Sequence, residues 1–154
     1  MQAFMMALDQ LFNPFTLLTL FGGVIGGIIA GALPGLTATM GVAILVPFTF
    51  AMPPVPVILM LLGLYAGAIY GGSIAAILIR TPGTPSAAAT VLDGSPLFDK
   101  GEGGRALGIA TLASVFSGIG SSIFLVFLAP LLSRVALSFS EPEHFALAVF
   151  GLSI

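Results

Sequence analysis

The 154-residue chain has no cysteine and no tryptophan, a single histidine, and ten charged side chains, 6% of the total. Without cysteine there is no disulfide framework and no thiolate metal site. His144 has no companion ligand in any metal-binding spacing, so it reads as a solvated loop residue. A soluble domain carries roughly 25% charged residues, and this chain cannot dress a water-facing surface with 6%. A net charge of −2 also argues against nucleic acid, which calls for a basic patch. There is no G-x-x-x-x-G-K-[ST] phosphate loop, no H-E-x-x-H and no G-x-S-x-G elbow. The chain therefore reads neither as the ATPase of a pump nor as an enzyme, and the Gly71-Gly72-Ser73 triplet lacks a base within reach.

What is present is apolar surface: 58% of the residues are hydrophobic. No formal charge occurs between Asp9 and Arg80, or from Ala106 to Ser133. Each run exceeds the ~20 residues of a spanning helix. The expected fold is an all-α integral membrane protein, a multi-pass helical bundle with discontinuous helices, embedded in the lipid bilayer as one membrane domain over 1–154. The N-terminal stretch has no Lys or Arg and reads as a mature terminus. The last residues fall in an apolar run that has only begun, as expected of a piece of a longer protein or of a chain that needs a second subunit.

Asn13-Pro14 predicts an N-cap and first turn, with a helix from about Phe15 to Leu33. Gly23, Gly27 and Gly31 share one face of it, a small-residue stripe that lets helix backbones approach in lipid. Pro34-Gly35 interrupts the run, and Thr37 and Thr39 follow. A second segment from about Thr37 to Met52 contains Pro47. This break is either a plain loop or a discontinuous helix whose freed backbone groups line a cavity. Pro53, Pro54 and Pro56 form a stiff connector. A third helix is expected from about Val55 to Ile79, with Gly63, Gly67, Gly71 and Ala75 as its stripe and with Tyr65 and Tyr70 inside it.

The chain then breaks at Thr81-Pro82-Gly83-Thr84-Pro85. Thr84 suits an N-cap and Pro85 the first position of a short helix that stops at Asp93-Gly94. The free N–H groups at such a start favour an anion. Arg80, if near it, adds a guanidinium suited to carboxylates, or else snorkels and sets topology. Asp93 braces the loop or takes part in ion coupling. The candidate substrate and ion residues are therefore Pro34, Gly35, Thr37, Thr39, Arg80, Pro82, Gly83, Thr84 and Asp93. Three of the four cationic residues lie between 80 and 105, which makes that side cytoplasmic. A fourth helix follows from about Arg105 to Ser133, with a stripe at Ala106, Ala110, Ser114, Gly118 and Ser122. Another begins at Phe145.

Five pieces, in order and at matching intervals, carry a resemblance: Gly-Ala-Leu-Pro-Gly-Leu-Thr (31–37), Leu-Tyr-Ala-Gly-Ala-Ile-Tyr-Gly-Gly-Ser-Ile (64–74), Thr-Pro-Gly-Thr-Pro-Ser-Ala-Ala-Ala-Thr (81–90), Leu-Asp-Gly (92–94) and Gly-Arg-Ala-Leu-Gly-Ile-Ala (104–110). In these the chain resembles the N-terminal portion of the large membrane subunit of tripartite tricarboxylate transporters. The resemblance implies a permease of the bacterial inner membrane that imports carboxylates. It implies coupling to a Na⁺ or H⁺ gradient with no other cofactor. It also implies two partners, a small membrane subunit and a periplasmic solute-binding protein. The alternative from the residues alone is a channel-like or scaffolding subunit. Either way the two breaks are expected to meet near mid-membrane.

Overall fold

The computed structural model describes residues 9–136 and 139–153. Six α-helices are described: α1 (Pro14–Ala32), α2 (Ala38–Thr49), α3 (Pro54–Ile79), α4 (Ala88–Asp99), α5 (Gly103–Ala136) and α6 (Glu141–Ser153). A single 3₁₀ turn, Pro85–Ala87, precedes α4, and no strand occurs among the described residues. Three helices are long and apolar enough to cross a bilayer, within Pro14–Ala32, Pro54–Ile79 and Gly103–Arg134. At 1.5 Å per residue, α2 and α4 are each only about 18 Å long, too short to span ~30 Å of hydrocarbon. The all-α membrane fold with discontinuous helices is thus realised as two half-length helices among full-length ones.

The chain divides into two compact units, 1–112 and 113–154. In the first, α1 and α3 run parallel with their backbones in contact. A Cβ built on Gly23, Gly27 or Gly31 would overlap the carbonyl oxygens of Met60, Leu64 and Ala68 in turn. A Cβ on Gly63, Gly67 or Gly71 would meet those of Leu20, Val24 and Ile28, the first at 2.9 Å. Each four-residue step on one helix matches a four-residue step on the other, so the two stripes interlock along their length. Dispersion and short Cα–H···O contacts hold such a seam, since lipid supplies no hydrophobic drive between helices. Near its start, the buried Thr19 hydroxyl lies 2.9 Å from the Thr16 carbonyl and 3.5 Å from that of Pro56.

Parallel neighbours need a return path, and α2 with residues 50–53 provides it. Asn13 caps α1, its side chain accepting from Phe15 N at 3.0 Å. After α1 the chain turns at Gly35, whose φ of 96° suits only glycine. Thr37 then caps α2, its hydroxyl accepting from Met40 N at 3.2 Å.

The second unit departs from expectation at His144. It lies in a helix and not a loop, because α6 begins at Glu141, ahead of Phe145. Ser140, four residues upstream of His144, donates its N–H at 2.7 Å and its hydroxyl to the Glu143 carboxylate. This is one half of a capping box. These bonds hold the Glu143 carboxyl below its usual range. Its share in the helix start is therefore complete above the ordinary carboxylate range and is lost as pH falls through the lowered value. The His144 ring lies 6.2 Å from that of Phe139. On α5 the small stripe meets no partner at Gly118, where a built Cβ has no described atom within 4 Å.

The seam predicts an asymmetry between adjacent glycines. Gly27→Ala forces two backbones apart and should cost about 1–3 kcal/mol or more. Gly26→Ala, where a Cβ meets nothing within 4 Å, should change stability by no more than about 1 kcal/mol in either direction. Thermal unfolding of the detergent-solubilised protein, followed by loss of the monodisperse species, measures both.

Candidate substrate site

Everything between Arg80 and Asp99 folds back onto α3. Arg80 closes α3 in the left-handed region at φ 56°, the one described non-glycine residue with positive φ. The chain then descends alongside the helix it has just left. Gly83 N donates to Gly72 O at 3.4 Å, seven residues before the end of α3, or about 10 Å along its axis. There the chain reverses and α4 rises beside α3 in the same direction. Ser95, buried, donates its hydroxyl to Ala76 O at 2.8 Å. A Cβ on Gly94 would lie 2.7 Å from Ile77 Cγ1. At the top, the Arg80 guanidinium pairs with the Asp99 carboxylate. Residues 81–99 thus form a re-entrant hairpin, extended going in and helical coming out.

The tip of the hairpin meets the end of α1. A Cβ on Gly83 would overlap the Gly31 carbonyl oxygen and lie 2.9 Å from Gly72 Cα. A Cβ on Gly72 would lie 2.6 Å from Thr84 Oγ1. Three glycines from three segments therefore make one close backbone junction. Thr84 is buried there at 4% exposure, and its hydroxyl bonds to Ser86 Oγ at 3.0 Å. The Pro34-Gly35 break begins three residues beyond Gly31. The hairpin tip therefore lies beside the end of α1, at the level of Gly72. Thr37 and Thr39 share a hydrogen bond at 3.3 Å at the start of α2.

Three expectations need correction. The short helix does not stop at Asp93-Gly94; it continues through Pro96 to Asp99. Gly94 is a packing glycine against the buried Ile77, and the stop belongs to Gly101, φ 81°. Gly101 N donates to Phe98 O at 2.9 Å and Glu102 N to Leu97 O at 3.0 Å, the Schellman pattern. Thr84 stands at the N-cap position of the 3₁₀ turn with extended backbone, but its side chain makes no capping bond because it is turned to Ser86. Arg80 is not near the start of α4. Since α4 rises parallel to α3, Arg80 meets the far end of α4 at Asp99, about 12 Å up α3 from Gly72. Asp93 is exposed on α4, and its side chain has no hydrogen bond or ion pair among the described residues.

The sequence reading missed Gly72, Ser86 and Ser95. The signal for Gly72 was the doublet with Gly71: neighbours on a helix point about 100° apart, so two contacts were being served. Tyr70, inside α3, shares a hydrogen bond between its hydroxyl and Thr111 Oγ1 at 2.6 Å. A cavity of about 410 Å³ lies elsewhere, at the N-terminal ends of α1 and α3, lined by Gln10, Asn13 and Pro53 among others and by no charged group.

The family model of the tripartite tricarboxylate transporter TctA family matches residues 17–154, so it covers both interruptions and the hairpin. The chain belongs to this family. An uncharacterized 52.8 kDa protein of Agrobacterium vitis, from the TAR-I ttuC' 3' region, is 45% identical over 142 residues. Those residues are 92% of this chain and 28% of that protein, so the TctA-family segment spans little more than a quarter of the relative's length. No solved structure matches the chain.

In this TctA-family chain the hairpin is held on α3 by close glycine contacts and by the buried Ser95 hydrogen bond. Ser95→Ala should cost about 1 kcal/mol for that bond. Gly94→Ala, which would help an exposed helix, should destabilise because Ile77 is 1% exposed with no room to yield. Both are read as shifts in thermal unfolding, and a stabilised Gly94→Ala protein would contradict the packing described.

Proposed function

We propose that the chain is part of the large membrane subunit of a secondary importer of tricarboxylates or related carboxylates, and that its substrate meets the re-entrant hairpin at the Gly31–Gly72–Gly83 junction. Membership of the TctA family supports the transport reading. The observation that carries the site is that the hairpin tip at Gly83 makes close backbone contact both with Gly31, at the end of α1, and with Gly72 of α3.

The physics of that junction suits a charged solute. α4 presents its N-terminal turn there, with amides not used by the helix and a partial positive charge. α1 ends there with carbonyls and a partial negative charge. In a bilayer, irregular backbone is tolerated where protein covers it or it lines a cavity. Secondary transporters place half-helix starts against anionic groups and unwound carbonyls against coupling cations. On this reading a substrate carboxylate lies against residues 84–88, and the Na⁺ or H⁺ site uses the end of α1 with Thr37 and Thr39. Pro34, Gly35, Pro82 and Gly83 shape the gap. Arg80 leaves the ligand set, since Asp99 engages its guanidinium. The charged turn at 99–105 faces the cytoplasm of a bacterial inner membrane. A small membrane subunit and a periplasmic solute-binding protein complete the system, as the family's tripartite description suggests.

The test is uptake of labelled citrate-like acids by the full-length protein with its partner subunits. Thr84→Ala and Gly83→Val should each reduce uptake at least about tenfold at normal membrane levels. That corresponds to about 1.4 kcal/mol or more. Normal uptake by both removes this junction as the site. In reconstituted vesicles, accumulation should require an imposed ion gradient; equilibration without one would mark a channel instead.

A further inference from the structure

We infer that Arg80 and Asp99 form a positioning latch, which sets how far α4 stands along α3 and so holds Thr84 at the Gly72 level. The inference rests on the proposed site for its consequence in transport, but not for its geometry.

Arg80 sits at φ 56°, in the left-handed region, where the Cβ of an L-residue crowds the backbone and glycine is favoured. A turn that merely ended α3 would be better made by glycine. The arginine at this point is therefore there for its side chain, and that side chain spans nineteen residues to Asp99. Asp99 is the last residue of α4, and the Gly101 Schellman turn fixes where that helix ends. Arg80 is thus bound to the terminus of the element whose opposite end carries Thr84.

The other holds on α4 lie along its length: Ser95 to Ala76 is its one side-chain hydrogen bond to α3, and Gly94 fits closely against Ile77. At its last residue the polar hold is Arg80 to Asp99. A slip of one residue translates a helix by 1.5 Å and turns its faces by 100°. It would carry Thr84 off Gly72, where the fit tolerates no Cβ. The ion pair is partly exposed, with side chains 63% and 49% accessible. As a surface pair it adds little to global stability, but as an end-stop it selects one register of α4.

The experiment uses Thr84→Cys in the full-length protein freed of any other cysteine, with a water-soluble maleimide as probe. These 154 residues contribute no background thiol. In the parent, a cysteine at this buried position should label slowly. Arg80→Gly relieves the backbone cost but removes the latch, and should raise the labelling rate at least about fivefold. Asp99→Asn should do the same, and the two together should add nothing further. The exchange Arg80→Asp with Asp99→Arg should return labelling to within about twofold of the parent. Slow labelling in Arg80→Gly overturns the inference, since the turn alone then suffices. So do additive effects of Arg80→Gly and Asp99→Asn, which decide the matter if the exchanged protein does not reach the membrane. An exchanged protein that reaches the membrane but still labels fast also overturns it. Uptake, measured separately without the cysteine, separates the two ideas: a latch confirmed by labelling with uptake unchanged would leave the latch and remove the junction as substrate site.

Discussion

Backbone contact between α1 and α3 is the constraint from which the rest of the first unit follows. Six glycines, three on each helix, bring carbonyl oxygens of one helix to the Cα atoms of the other. No larger residue can stand at these positions while the contact persists. Because the contact is parallel, the chain must travel back between the two helices, and it does so with the half-length α2. Because α3 is seven residues longer than α1, it extends beyond the seam and offers a free surface near its C-terminal end. The re-entrant hairpin occupies that surface. A different offset between the stripes would move the end of α1 away from Gly72 and leave Gly83 without its neighbour.

The hairpin repeats the same device at smaller scale. Gly83, Gly72 and Gly94 mark places where backbone or a buried side chain comes too close for a Cβ. Polar links are few and specific: Ser95 to Ala76, Thr84 to Ser86 and Arg80 to Asp99. Buried side-chain polar atoms without a partner are absent among the described residues, as a non-aqueous setting demands. The economy of charge seen in the sequence has a structural counterpart. Arg80, Asp99, Lys100, Glu102 and Arg105 gather at the end of the hairpin, while at its tip the backbone packs through glycine and Gly83 N donates to Gly72 O.

Much of this was legible from residue order. Four-residue glycine spacing identified the packing faces, and the paired stripes of α1 and α3 do meet. Asn13-Pro14 gave the start of α1, and Pro34-Gly35 and Pro82-Gly83 gave the two breaks. The errors at Gly94 and Arg80 share one cause, the unseen tertiary neighbour. Asp93-Gly94 looked like a stop because glycine commonly closes helices, but whether a glycine serves a turn or a contact depends on what lies opposite, here Ile77. Arg80 looked like a neighbour of the α4 start because the two are close in sequence; the parallel course of α4 puts Arg80 beside its end. His144 looked like a loop residue because the helical reading began only at Phe145, while Ser140 and Glu143 start the helix earlier.

The sequence by itself determined that the chain lives in lipid, where it breaks, and which faces are small, because hydropathy, proline and glycine act locally through solvation and sterics. It also carried enough ordered motif to resemble its family. Only the tertiary structure decided that the two helices run parallel, that the hairpin tip meets the end of α1, and which neighbour each glycine admits. Those depend on the offset between distant segments, a quantity set by backbone contact and by no residue alone.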